Sequence, residues 1–131
     1  MAEPSLMRTF IGITVTAAAT ALVAFAAQPG QASTAPARPA AFAQCAGCHS
    51  TEPGKNLFGP SLAGVSKRRA GSLPGYTYSP ALKKSGITWN AQTLDRWLTS
   101  PQKAVPGTKM PLGGVPDPAI RKALVSYLLT L

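Results

Sequence analysis

Two cysteines and the only histidine of the chain lie within five consecutive residues, Cys45-Ala46-Gly47-Cys48-His49. Two thiols three positions apart have the spacing needed to add to the two vinyl groups of a porphyrin, and the adjacent imidazole can then ligate its iron. Because the two residues between the cysteines are small, the backbone can pass close to a flat macrocycle. The motif predicts covalent attachment of one haem through Cys45 and Cys48, with His49 as an axial ligand.

Three other interpretations of the motif compete with haem attachment. A structural zinc site needs four ligands, usually Cys and His, whereas the chain has only two cysteines and one histidine. A thioredoxin-like redox pair would require a βαβ context, which the sequence does not contain. A disulfide between Cys45 and Cys48 would close a very small loop and stabilise little. Haem attachment is favoured, and a disulfide or a metal site is kept as the alternative.

The choice of a second axial ligand is narrow. The chain has no second histidine, and its methionines are Met1, Met7 and Met110. Only Met110 lies in the part of the chain expected to fold, within a loop bounded by Pro106 and Pro111. A lone methionine is usually a packing residue, but beside a haem its thioether is a suitable ligand. Met110 is therefore the candidate, with Lys109 or an open coordination position as alternatives.

The first third of the chain has the pattern of an export signal. Residues 9–27 carry no charge, follow a short start containing Arg8, and precede small-residue motifs that suit a signal peptidase. The apolar run is also long enough to span a bilayer. We predict a signal peptide or an inner-membrane anchor at 1–27, a Pro/Ala-rich linker at 28–39 and one domain at 40–131, located in the periplasm.

The formal net charge of +9 predicts an acidic partner. Export argues against nucleic acid, and the basic residues are dispersed along the chain. Contact with the membrane is expected only if the leader is retained, and the protein is expected to be a monomer.

Three segments with helical signals predict an all-α fold. A short helix runs from Pro39 into the cysteine pair; a second begins after Asn90, a favourable N-cap residue, and ends at Pro101. A third begins at Asp117, with an apolar stripe formed by Ile120, Leu124, Tyr127, Leu128 and Leu131. The Gly/Pro-rich segments between them, including 67–86 and 102–115, are predicted to be irregular. Loops this long are expected to wrap an apolar group that the polypeptide itself does not supply.

From residue 42 to residue 131 the sequence resembles the class I c-type cytochromes. The resemblance rests on segments that occur in the family's order: CAGCH at 45–49, GPSLAGV at 59–65, PGYTYSPAL at 74–82, GITW at 86–89, LDRWLTSPQKAVPGTKMP at 94–111 and LVSYL at 124–128. It implies a small cytochrome c fold, with three main helices and long loops wrapped around one covalently bound haem c and its iron.

The resemblance also implies roles for individual residues on either side of the haem. The carbonyl of Pro60 would orient His49 on the proximal side. Thr108 would lie beside Met110 on the distal side.

A further group would hold a buried haem propionate. Tyr78 and Trp89 would donate hydrogen bonds to it, and Arg68 would offset its charge. The alternative is that the two aromatic residues are ordinary core residues whose polar atoms have hydrogen-bond partners. We prefer that interpretation for Tyr127, which would pack the last helix on the first.

Three departures from the family pattern are visible. Pro36 and Pro39 fall where the first helix usually runs, so its start should be shortened. Leu82 replaces an Asn of the mitochondrial members, and Trp97 replaces a distal Tyr. Both replacements alter the surroundings of the haem without touching the ligands.

The function predicted from these features is electron transport by Fe2+/Fe3+ cycling, as a carrier in a respiratory or similar chain and not as an enzyme. Lys55, Lys103 and Lys109 border the expected haem edge, where they would dock acidic faces of a cytochrome bc complex, a terminal oxidase or a photosynthetic reaction centre. The alternatives are a haem enzyme or a gas or peroxide sensor with an open distal site, and a membrane-tethered subunit of a redox complex.

Overall fold

The computed structural model of this protein describes residues 35–131. The predicted leader at 1–27 and the first seven residues of the predicted linker lie outside this range. Residues 35–39 have no regular secondary structure, and the first helical residue is Ala40. Pro39 precedes it with an extended backbone, at φ −71° and ψ 147°. The predicted shortening of the first helix by Pro36 and Pro39 is thus confirmed.

The helix that leads into the cysteine pair is short and irregular. A single 3-10 turn at Ala40–Phe42 continues directly into α1, Ala43–Ala46. A second 3-10 turn lies at Val65–Lys67. Such short elements gain little stability from their own hydrogen bonds, so their positions depend on tertiary packing.

Helix α2, Pro80–Lys84, was not expected from the sequence. The side chain of Ser79 caps it by accepting a hydrogen bond from the amide of Leu82 at 3.1 Å. A serine N-cap followed by proline at the first helical position is a strong start signal. The prediction that 67–86 is irregular is therefore wrong at α2, where this signal was overlooked.

Helix α3, Ala91–Thr99, begins where Asn90 predicts. Oδ1 of Asn90 accepts from the amide of Thr93, and the hydroxyl of Thr93 accepts from the amide of Asn90, both at 2.9 Å. This reciprocal pair satisfies two amides that the helix leaves without partners. The predicted face is also confirmed, since Leu94, Trp97 and Leu98 are all buried.

The prediction that helix ends at Pro101 is only partly right. Helix α3 ends at Thr99, but Pro101 then begins a further short helix, α4, Pro101–Ala104. The residues 102–104 that were expected to be irregular belong to it.

Helix α5, Pro118–Leu128, is the last element. Asp117 caps it by accepting from the amides of Ala119 at 2.8 Å and Ile120 at 3.0 Å. Leu124 and Leu128 are buried as predicted, but Ile120 is 43% exposed and Val125 is buried in addition. The predicted apolar stripe is therefore wrong at its first residue, which lies before the helix reaches the core.

The core lies where α5 packs against α3 and the first turn. Phe42 and Leu124 are almost completely buried, and the ring of Tyr127 meets that of Phe42 edge-on with centroids 5.0 Å apart. This confirms that the last helix packs on the first. Burial of each large side chain stabilises the fold by about 1.5–3 kcal/mol.

Residues 35–131 contain no β-strand beyond one isolated bridge between Arg69 and Thr88, which confirms the all-α fold. No helix in that range has the length and apolarity needed to cross a membrane.

Candidate haem site

A cavity of about 550 Å³ opens between α3, the C-terminal end of α5 and the surrounding loops. This volume lies within the range of about 300–1,000 Å³ common for cofactor sites. The lining includes nine of the site residues predicted from the sequence: Cys45, His49, Pro60, Arg68, Tyr78, Trp89, Thr108, Lys109 and Met110. Cys45 and Met110, which are 65 positions apart in the sequence, thus line the same cavity.

His49 is held in a defined orientation. Its Nδ1 lies 2.7 Å from the carbonyl oxygen of Pro60. Since a carbonyl only accepts, the neutral ring carries its proton on Nδ1 and keeps an acceptor lone pair on Nε2. Burial lowers the pKa of His49 more than the bond to Pro60 raises it, so the imidazole is neutral at pH 7. A neutral, oriented imidazole is the form that ligates iron.

The turn after α1 places the cysteines and the histidine together. The amides of Cys48 and His49 both donate to the carbonyl of Cys45, at 3.0 and 2.9 Å. Both cysteine side chains are half-buried. Cys45 lines the cavity, and burial raises its pKa, with a smaller contribution from Cys48. Cys48 itself is not part of the lining.

The structure also bears on the competing interpretations of the motif. The two thiols are not joined in a disulfide. Within residues 35–131, no three side chains of His, Cys, Asp or Glu come close enough to hold a metal ion. The donors of a zinc site are therefore not assembled in this part of the chain.

Gly59 is a site residue that the sequence did not single out by itself. A Cβ at this position would lie 2.7 Å from Nδ1 and 2.9 Å from Nε2 of His49. Its amide donates to the carbonyl of Cys48 at 2.7 Å, which fixes the approach of the two segments. Only glycine fits against the imidazole here. The sequence signal for Gly59 was its position immediately before Pro60.

Asn56 was also missed. Its Nδ2 donates to the carbonyl of Gly75 at 3.2 Å, and its Oδ1 accepts from the amide of Ser61 at 2.9 Å. It therefore ties two loops together at the edge of the cavity, a role that no local pattern reveals.

The three residues predicted to hold a haem propionate, Arg68, Tyr78 and Trp89, all line the cavity. Tyr78 and Trp89 are 8% and 7% exposed. Arg68 donates to the carbonyls of Ser61 and Ala63, so its guanidinium is fixed by the backbone. Burial raises the pKa of Tyr78, and the nearby charge of Arg68 opposes that shift. Burial likewise lowers the pKa of Arg68.

Trp97 packs beside this group. Its ring meets that of Trp89 edge-on, with centroids 5.4 Å apart. A favourable aromatic contact thus occupies the position where the sequence lacks the tyrosine hydroxyl.

Met110 lies in a loop that is fastened at three points. Nε2 of Gln102 donates to the carbonyls of Thr108 at 3.0 Å and Met110 at 3.2 Å, and Nζ of Lys109 donates to the carbonyl of Thr77 at 3.2 Å. Thr108 is buried and Met110 is half-buried. The loop presents a thioether to the cavity, and Gln102 is a supporting residue that sequence reasoning did not find.

The three predicted docking lysines are not equivalent. Lys109 lines the cavity, whereas Lys55 and Lys103 are exposed residues outside the lining. Nζ of Lys55 lies 3.0 Å from a carboxylate oxygen of Glu52.

These residues fit a haem. The lining offers an imidazole nitrogen, a thioether sulfur and the thiol of Cys45 around an aromatic-rich cavity, and the second thiol, that of Cys48, lies in the same turn as His49. Together these groups are the donor set of a covalently attached haem. An all-α chain with this site defines a c-type haem protein.

Comparison with known proteins gives the family. The model of the family described as Cytochrome c matches residues 37–131. The chain belongs to this family: it is a class I c-type cytochrome, a single-haem electron carrier and not an enzyme, with haem c as its cofactor.

The individual relatives that match the chain are also c-type cytochromes. The chain is 47% identical over 93 residues to cytochrome c2 iso-2 of Magnetospirillum fulvum, covering 71% of this chain and 97% of the relative. It is 50% identical over 88 residues to cytochrome c2 of Rhodoblastus acidophilus, covering 66% and 82%. The solved structure of cytochrome cH from Methylobacterium extorquens superposes with a TM-score of 0.66 at 48% identity, covering 70% of this chain and 92% of that one.

Proposed function

We propose that Cys45 and Cys48 form the two thioether bonds to the haem, and that His49 and Met110 are its axial ligands. The observation that carries this assignment is the convergence of the oriented imidazole of His49 and the thioether of Met110 on one cavity. Pro60 holds the imidazole through its carbonyl, and Thr108 supports the distal loop.

A bound haem supplies a one-electron couple between ferric and ferrous iron. The chain's own residues set the conditions for that couple. With a haem bound, the thioether of Met110 and the buried aromatic lining would favour the less charged ferrous state. If His49 and Met110 both bind the iron, no position would be open to a substrate, which suits a carrier. Tyr78, Trp89 and Arg68 would stabilise a buried propionate.

The physiological setting is a further part of the proposal. Residues 1–27 would direct export to the periplasm, with 28–39 as a linker to the domain at 40–131. Lys55, Lys103 and Lys109 would dock acidic faces of redox proteins, such as a cytochrome bc complex, a terminal oxidase or a photosynthetic reaction centre. Release by salt rather than detergent would indicate that residues 9–27 do not remain as a membrane anchor.

The ligand assignment is tested by the optical spectrum of the purified ferric protein. We expect the weak long-wavelength charge-transfer band of iron–methionine ligation, and we expect Met110→Ala to abolish it while haem stays attached. Leu112→Ala is the matched control, because this half-buried neighbour lies in the same loop but outside the cavity lining.

Two results would contradict the assignment. A band that persists in Met110→Ala would exclude this methionine as the ligand. A native ferric protein that lacks the band and binds cyanide or peroxide rapidly would instead support the open-site interpretation, an enzyme or a sensor.

A further inference from the structure

Residues 109–114, the segment that carries Met110, have few hydrogen bonds of their own. In the part of the chain that the structure describes, the main chain of this segment makes one hydrogen bond, which the carbonyl of Met110 accepts from Nε2 of Gln102 at 3.2 Å. The nearest backbone bonds are donated by the amides of Thr108 and Val115, which lie outside the segment at its two ends. A segment held by so few bonds opens at a lower free energy than the core.

The side-chain amide of Gln102 holds this segment at a second point. Its Nε2 also donates to the carbonyl of Thr108, at 3.0 Å. A primary amide has two N–H donors, so one donor is available for each of the two carbonyls. The two carbonyls belong to the residues on either side of Lys109. Gln102 therefore restrains the backbone both at Met110 and immediately before it.

Gln102 projects from an element that is firmly packed. It is the second residue of α4, whose first residue, Pro101, is almost completely buried, and Val105 at the end of that helix is buried as well. The bond from Nζ of Lys109 to Thr77 ties only a long, flexible side chain and leaves the backbone carbonyls free. Gln102 thus connects the backbone around Met110 to the packed part of the fold.

We propose that Gln102 is a positioning residue, which keeps the thioether of Met110 at the haem iron by restraining the opening of residues 109–114. The inference rests on the proposed ligation by Met110 and adds to it the residue that sets how often this ligand is lost. Opening the segment breaks both bonds from Gln102, so their net free energy is part of the cost of opening. Removing the donor therefore raises the population of the open form without altering either ligand.

The experiment is a titration of the ferric holoprotein with imidazole, which competes with Met110 for the iron and enters when the segment is open. Loss of the iron–methionine band gives an apparent Kd, which is inversely proportional to the population of the open form. Gln102→Glu keeps the shape of the side chain but removes both N–H donors. We expect it to lower the apparent Kd about tenfold, which corresponds to about 1.4 kcal/mol.

Two further variants separate the lost donor from the added charge. Gln102→Leu is uncharged and also lacks a donor, so it should lower the apparent Kd by a similar factor. Gln102→Arg again places N–H donors at this position and should return the apparent Kd toward the native value.

Gln92→Glu is the matched control, because Gln92 is likewise an exposed glutamine at the second position of its helix, α3, and lies outside the cavity lining. It should keep the native affinity for imidazole. Arg121→Met removes the link between α5 and α3 and should also keep it, because opening of a weakly bonded segment does not require global unfolding.

A native apparent Kd in both Gln102→Glu and Gln102→Leu overturns the inference. An equal gain of affinity in Arg121→Met also overturns it, since imidazole would then enter through a general loss of stability. The native ferric protein tests the ligand assignment separately: absence of the iron–methionine band before any imidazole is added would overturn the proposed ligation and, with it, the role of Gln102.

Discussion

The carbonyl oxygen of Pro60 lies 2.7 Å from Nδ1 of His49, and Gly59, immediately before that proline, lies against the same imidazole. One short segment therefore both accepts the hydrogen bond from Nδ1 of the imidazole and limits the rotation of the ring. Residues that hold a ligand in this way affect the bound metal without touching it.

Gly59→Ala should disturb this arrangement, because the added methyl would overlap the imidazole of His49. We expect the free energy of unfolding of the ferric holoprotein to fall by about 1–3 kcal/mol, the usual cost of overpacking. Denaturation by guanidinium measures the change. At Gly113 a Cβ would meet nothing within 4 Å, so Gly113→Ala should be close to neutral. Equal stability of the two variants would contradict the proposed contact.

We expect Tyr78 to make the free energy of unfolding depend on pH in the alkaline range. Burial raises its pKa above the ordinary value, so between the two values the folded state keeps a proton that the unfolded state has lost. The free energy of unfolding should therefore fall as the pH rises above about 10. Tyr78→Phe should reduce that fall, measured by guanidinium titration of the ferrous protein at several pH values.

The charge of Arg68 provides a second check on this dependence. Because its charge opposes the rise of the Tyr78 pKa, Arg68→Met should extend the fall in stability to higher pH. An unaltered alkaline profile in Tyr78→Phe would show that another group is responsible.

Arg121 joins α5 to α3 and to the loop before α5. Its Nε donates to a carboxylate oxygen of Asp95 at 2.7 Å, and its Nη1 donates to the carbonyls of Val115 at 2.8 Å and Pro116 at 3.3 Å. Arg121→Met should lower the free energy of unfolding by about 2–3 kcal/mol, since it leaves the two carbonyls without their donor. Asp95→Asn should lower it by only about 0.5–1 kcal/mol, because that carboxylate is 48% exposed.

Thermal and guanidinium unfolding of both variants measure the difference. Lys122→Met is the control, because this neighbouring cation is exposed and should stay within about 0.5 kcal/mol of the native protein. A larger loss from Asp95→Asn than from Arg121→Met would show that the ion pair, and not the bonds to the carbonyls, is the main link.

Neutralising Lys55, Lys103 and Lys109 together should weaken the salt dependence of electron transfer to an acidic redox partner. The reason is that exposed charges act mainly by steering, which salt screens. The rate constant for oxidation by a terminal oxidase, measured over a range of ionic strength, gives the slope.

A second triple variant, Lys67→Gln, Lys83→Gln and Lys122→Gln, removes the same charge from exposed positions outside the cavity lining. It should retain most of the native slope. Equal slopes in the two triple variants would mean that net charge alone, without a defined surface, governs the association.

The sequence by itself determined the chemistry of the site and the family. The spacing of Cys45, Cys48 and His49 specifies one kind of covalent attachment, because few groups accept two thiols and an imidazole in so short a segment. The capping residues Asn90 and Asp117 placed the starts of α3 and α5, since their hydrogen bonds are made within a few residues.

Only the tertiary structure decided which distant residues support that site. Gly59 against the imidazole, Asn56 between two loops and Gln102 under the Met110 loop all depend on contacts that the local pattern does not encode. Local spacing fixes what a short motif can bind, whereas the long loops acquire their roles only from the packing that brings them together.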